Sequence, residues 1–144
     1  MKMLTKVLFL FAILLVGLSS CSKEKRIERQ LIKKDGKWKI ATLDYKYYSG
    51  NQLQGVATYA NAGKIEFSKK GTFVMTTSIG GSPETMVGTW TNSKDAITIM
   101  SDGSGTVLNI TEGPKKGKLK LDQTDYYSAT DEKEVYVYTL EREN

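Results

Sequence analysis

Histidine is absent from this chain of 144 residues, cysteine occurs once and proline twice. The first absence excludes imidazole acid–base chemistry, Ser-His and Cys-His nucleophiles and His-ligated metal sites. A lone cysteine excludes an internal disulfide framework and any multi-cysteine zinc or iron–sulfur site. The length leaves room for one ordinary domain. Against two Pro stand 13 Gly and 8 Tyr, with many Thr, Val and Ile, a composition of strands joined by glycine turns. The net charge of +5 is not gathered into a stripe. Lys33-Lys34, Lys69-Lys70 and Lys115-Lys116 are pairs beside turns, so nucleic acid is not an expected partner.

The N-terminus reads as an address. Lys2 and Lys6 precede an unbroken apolar run from Val7 to Leu18, shorter than the roughly 20 residues needed to span a bilayer. A basic start, a short apolar core and small residues before a cut define a secretory signal peptide. Leu18-Ser19-Ser20-Cys21 resembles the lipobox of bacterial lipoproteins. That resemblance implies cleavage before Cys21, a diacylglyceryl thioether on its sulfur and an amide-linked acyl chain such as palmitate. Membrane lipid is then a partner through acylated Cys21, since stable anchoring takes more than one chain. Ser22 stands where the family's inner-membrane retention signal places Asp. The expected location is therefore the outer membrane, with the periplasmic or surface face left open. Removing residues 1–20 leaves 124 of the 144 residues, and the loss of Lys2 and Lys6 without any acid lowers the charge to +3.

Residues 21–26 read as a lipidated tether and residues 27–144 as the domain. Ile27 and Leu31 lie four apart among charges, predicting one short helix that ends before Gly36. From Lys37 the period becomes two. Strands are expected near residues 37–42, 64–68, 72–77, 86–91, 96–100, 106–110, 118–122 and 135–140, with turn residues in nearly every gap. Eight short, evenly spaced strands predict an all-β fold, an antiparallel up-and-down β-barrel in preference to a sandwich. The segment from Tyr45 to Gly63 is the longest gap. It reads as a tyrosine-rich loop (Tyr45, Tyr47, Tyr48, Tyr59), with an extra hairpin left open and Leu53 to Tyr59 as one arm.

Three short motifs carry a second resemblance. Gly36-Lys37-Trp38, Thr124-Asp125-Tyr126 and Arg142 occur in the order in which lipocalins place G-x-W, T-D-Y and a closing arginine. The chain resembles most the short lipocalin-like domains of Bacteroidetes lipoproteins, over residues 27–142. The resemblance implies that Arg142 packs over Trp38 and closes one end of the barrel, a sound cation–π geometry. The chain departs from most lipocalins in its smaller size and in lacking a disulfide and a long C-terminal helix.

Little in the chain points to catalysis. Ser22 and Lys25 are spaced as a Ser-x-x-Lys pair but sit in the tether. Asp122, Asp125, Asp131, Glu132 and Glu134 crowd the last turn without the spacing of a calcium loop or a facing glycosidase pair. Gly80-Gly81 and Gly103-Ser104-Gly105 are hairpin tips, not phosphate loops. The expectation is a non-enzymatic protein with no catalytic residue, no metal and no cofactor. Phe67, Phe73, Met75, Met86, Trp90 and Met100 are candidates to line a cavity, with Tyr45, Tyr47, Tyr48 and Tyr59 as a lid over it. These residues equally suit a filled core with at most a shallow cup, which the small size favours. Two functions follow. One is a membrane-anchored module for a small hydrophobic ligand. The other is a filled barrel whose loops bind or inhibit an envelope protein.

Overall fold

The computed structural model describes residues 22–143. The signal-like segment 1–20 and Cys21 lie outside the described residues. Helix α1 runs over Lys23–Leu31. It starts inside the segment expected as a tether because Ser22 caps it, its hydroxyl accepting from the Lys25 N–H at 3.3 Å. Lys23 then pairs with Asp95 at 2.7 Å, and the Asn92 amide donates to the Glu24 carbonyl at 3.0 Å. Ile27 and Leu31 form its buried stripe. A tight turn, Lys33–Gly36, holds Lys34, Asp35 and Gly36 at positive φ and swings the chain into the first strand.

Eight strands follow: β1 (Lys37–Ser49), β2 (Gln52–Phe67), β3 (Thr72–Ile79), β4 (Ser82–Asn92), β5 (Ala96–Ser101), β6 (Ser104–Lys115), β7 (Lys118–Tyr127) and β8 (Glu132–Arg142). Each pairs antiparallel with the next and β8 pairs with β1, so the barrel is closed. The architecture is the expected all-β, eight-stranded up-and-down barrel with one short helix ahead of it. The expected Tyr-rich loop is instead the outer half of a single hairpin. β1 and β2 stay paired out to Ser49 and Gln52, through register shifts after Ile40 and after Tyr47, and turn at Gly50 and Asn51. Alternation is masked there because the strands rise above the packed core, and small residues (Gly55, Ala57) take inward positions opposite Tyr47 and Tyr45.

The pairing is uneven along the barrel axis. β1 and β8 pair from Trp38–Arg142 to Ser49–Glu132, with one register shift between Ile40 and Thr42. β2 and β3 pair only from Phe67–Phe73 to Gly63–Thr77, and the last pair of β6 with β7 is Asn109–Asp122. Beyond those points the sheet parts into two halves, β7-β8-β1-β2 and β3-β4-β5-β6. Gly63 marks the first parting. Its φ is 136°, and a Cβ there would stand 1.9 Å from the Thr76 carbonyl oxygen.

The end that carries α1 is filled. Trp38, Ile40, Phe67, Phe73, Ile97, Leu119, Leu121 and Leu140 are almost wholly buried, together with Leu31 of the helix. All buried apolar residues of the described chain lie between Ile27 and Leu140, so the segment from Ser22 onward carries its own core.

Gly36, in the turn that delivers Trp38, has φ 68°, and a Cβ there would meet the Phe67 carbonyl oxygen at 1.9 Å. Gly80 has φ 71° but open space around it. In urea unfolding of residues 22–144, Gly36→Ala is expected to cost about 2–4 kcal/mol and Gly80→Ala about 1 kcal/mol. Equal losses would contradict the close approach at Gly36.

Candidate ligand site

The two half-sheets separate above the core and leave a cup of about 690 Å³ at the end remote from α1. Its floor is apolar: Leu43, Met75, Ile99, Leu108 and Tyr138 are all buried or nearly so. The wall above mixes apolar residues, Ile79, Met86 and Val87, with polar ones. Thr77, Glu84, Ser101, Ser104 and Thr106 come from the β3–β6 half, and Gln123, Asp125 and Tyr136 from the other. Residues paired across antiparallel strands share a face, and the register explains the lining. Met75 pairs with Met86 and Thr77 with Glu84; Leu43 pairs with Tyr138 and Tyr45 with Tyr136; Gln123 pairs with Tyr136 and Asp125 with Glu134.

The inner face of the β7-β8-β1-β2 half is a ladder of tyrosines and carboxylates. Glu134 is its centre, accepting from Tyr45 at 2.9 Å, Tyr136 at 2.8 Å and Tyr127 at 3.4 Å. Tyr47 donates to Glu132, which also accepts from Thr130 at 2.8 Å. The Gln123 amide donates to both oxygens of Asp125, at 3.0 and 2.9 Å. The Tyr45 and Tyr136 rings lie 5.3 Å apart, tilted by 50°.

These contacts move the titrations. Burial, then the hydrogen bond to Glu134, raises Tyr45, and the same two causes raise Tyr136 far above the usual phenol range. The bond to Glu132 is the main cause raising Tyr47, and the same bond holds Glu132 below the usual carboxylate range. Tyr138 is pushed up to about 12, by burial first and then by the charge of Asp125.

The residues singled out from sequence are distributed differently from expectation. Tyr45 and Tyr47 lie on the inner face of β1, in register with Tyr136 and Glu134, rather than in a loop or lid, and neither lines the cup itself. Tyr48 faces outward, with the Lys133 ammonium 4.6 Å from its ring centroid. Tyr59, on β2, is partly buried against the core. Met75 and Met86 line the cup. Phe67, Phe73 and Trp90 lie in the packed end, where Phe67 meets Trp90 edge-on at 5.2 Å. Met100 is an outer-face residue, 43% exposed, because Ile97 and Ile99 take the inward positions of β5. The barrel is neither filled nor hollow throughout, and the cup is deeper than the small size suggested. Leu43, Ile99, Leu108, Glu84, Gln123, Tyr136 and Tyr138 were not among the candidates. The alternation of Leu121, Gln123 and Asp125, or of Tyr136 and Tyr138, would have placed them inside.

At the opposite end the Arg142 guanidinium carbon stands 4.6 Å from the Trp38 ring centroid. Arg142 Nη2 donates to the Gln30 carbonyl at 2.6 Å, and Trp38 Nε1 donates to the Leu31 carbonyl at 2.9 Å. Desolvation lowers the Arg142 pKa from its usual value. Among the described residues, no three acids come together as a metal site.

Alkaline titration reports the wall. Folded protein keeps phenol protons that the unfolded chain loses near pH 10. The stability from these tyrosines is whole below pH 10 and falls as pH rises towards 12. Phenolate absorbance of residues 22–144 is expected to lag behind that of the urea-unfolded chain over this window, and Tyr138→Phe to reduce the lag. Coincident curves would contradict the burial and bonding of these tyrosines.

No family model matches the chain, and no curated protein matches it. Among solved structures it is similar to the crystal structure of lobster apocrustacyanin A1, with a TM-score of 0.47 and 17% identity. That match covers 86% of this chain and 70% of the lobster chain.

Proposed function

We propose that this protein is a non-enzymatic binding module that holds a small hydrophobic molecule in the cup and is tethered to the outer membrane through acylated Cys21. The carrying observation is the cup itself. A site of about 690 Å³ falls within the roughly 300–1,000 Å³ usual for small-molecule pockets, and an apolar floor under a few polar groups is their usual lining. The floor supplies the driving force for an apolar body, and the hydroxyls and amide above it supply orientation. The strongest reason against catalysis is the sequence, which has no histidine, and the ladder carboxylates are occupied as acceptors of tyrosine and glutamine donors. The lipobox-like Leu18-Ser19-Ser20-Cys21 supports the tether, and Ser22 supports outer-membrane delivery.

A second reading, a protein partner in the envelope, has one observation in its favour. Val74, Val87, Met100 and Val107 form an exposed, uncharged outer face on β3–β6. The turns at the barrel's mouth are short, so that face, rather than loops, would carry such contacts.

Residues 22–144 mixed with bacterial lipid extract are expected to retain a small molecule in native mass spectrometry and to gain thermal stability with it. Met86→Trp, which fills the cup, is expected to abolish both while leaving the fold intact. No bound molecule and no thermal shift would overturn the binding reading. Full-length protein from a bacterial host is expected to carry acyl mass and enter detergent, and Cys21→Ala to lose both. An unmodified wild type would overturn the tether.

A further inference from the structure

The charge inside the barrel runs against the charge of the chain. The whole sequence carries 21 Lys and Arg against 16 Asp and Glu. Yet among the described residues, the charged side chains whose register places them on the inner face above Leu43 are all acids: Glu84, Asp125, Glu132 and Glu134. The lysines of the same stretch, Lys46 and Lys133, alternate to the outside, in register with Val56 and Tyr48. No Lys or Arg lines the cup.

From this we infer that the cup selects amphiphiles with a cationic head, an alkylammonium rather than a carboxylate. The inference rests on the binding reading above and names the class of ligand it would take. The apolar floor receives the tail. The head then lies at the level of Glu84, Asp125 and the Tyr45–Tyr136 pair. A cation there meets the half-buried Asp125, where Coulomb attraction is stronger than in water, and the exposed Glu84 across the cup, together with phenol rings whose faces attract ammonium groups. A carboxylate head would find neutral donors such as Thr77, Ser101 and Gln123 but no cation, and would give up its hydration beside two acids without gaining a counter-charge. Asp125 and Tyr136 both line the cup, which places this carboxylate beside the head position. Glu134 keeps its tyrosine donors and contributes field rather than a direct contact. The net positive charge of the protein would by itself favour anions, so a preference for cations can come only from the cup.

The test is isothermal titration of residues 22–144 with octyltrimethylammonium, 1-octanol and octanoate, three probes that share one tail, each below its aggregation concentration. Octyltrimethylammonium is expected to bind at least about tenfold more tightly than octanoate, with octanol between them. In Glu84→Gln/Asp125→Asn the cation-to-anion ratio is expected to fall towards one while octanol binding persists, which shows the cup intact. Octanoate binding as tightly as the ammonium, or a ratio unchanged in the double variant, would overturn the cationic class and leave the binding reading standing. If none of the three binds the unaltered protein, the binding reading fails, and this one with it. Should the double variant lose octanol as well, Glu84→Gln alone carries the same comparison.

Discussion

Everything in this barrel hangs from the closure of one end by Trp38 and Arg142. The indole is completely buried and gives its N–H to the last carbonyl of helix α1. The arginine, opposite it in register on β8, covers the ring and holds the neighbouring carbonyl of Gln30. Strand one, strand eight and the helix are thus fixed at a single point. The seam between first and last strands is the place where an up-and-down barrel is most liable to open, and here it is held by stacking and charge-assisted hydrogen bonds.

With that end packed by Trp38, Phe67, Phe73 and the aliphatic residues around them, the other end has fewer large side chains left to fill it. Pairing between β2 and β3 stops at Gly63, and between β6 and β7 at Asn109, so the sheet parts where the core runs out. The exposed inner face is then stabilised by polar means. The Tyr47 hydroxyl holds Glu132 below the usual carboxylate range, Glu134 accepts from three tyrosine hydroxyls, and Tyr45, Tyr47 and Tyr136 in turn hold their protons more tightly. The cup is therefore a consequence of unequal filling, and its acidic wall is compatible with a stable fold.

Much of the fold was legible in the sequence. Strict alternation in segments such as Lys118–Asp122 and the turn signals between strands were enough for eight strands, and Ile27 with Leu31 for the helix. What escaped had a physical cause. Above the core the inward positions of β1 and β2 are Tyr, Gly and Ala, so the apolar–polar contrast that marks a strand disappears. The helix start was hidden because Lys23 and Glu24 are polar on both faces, and their role lies in contacts with Asp95 and Asn92, distant in sequence. Met100 looked like core by composition, but the parity set by Ile97 and Ile99 sends it outward. Of the cup only a shallow form and the lining residues Met75 and Met86 were legible, since its extent depends on where two strand pairings end.

The account comes down to a barrel packed at one end and open to a small apolar molecule at the other. Residues 22–144 contain three methionines, of which Met75 and Met86 line the cup and Met100 lies on the outer wall. Methyl NMR of these three during titration with an octyl-chain amphiphile tests that claim most directly. Shifts at Met75 and Met86 with Met100 unmoved are predicted. A shift at Met100 alone, or no shift at any of them, would contradict it.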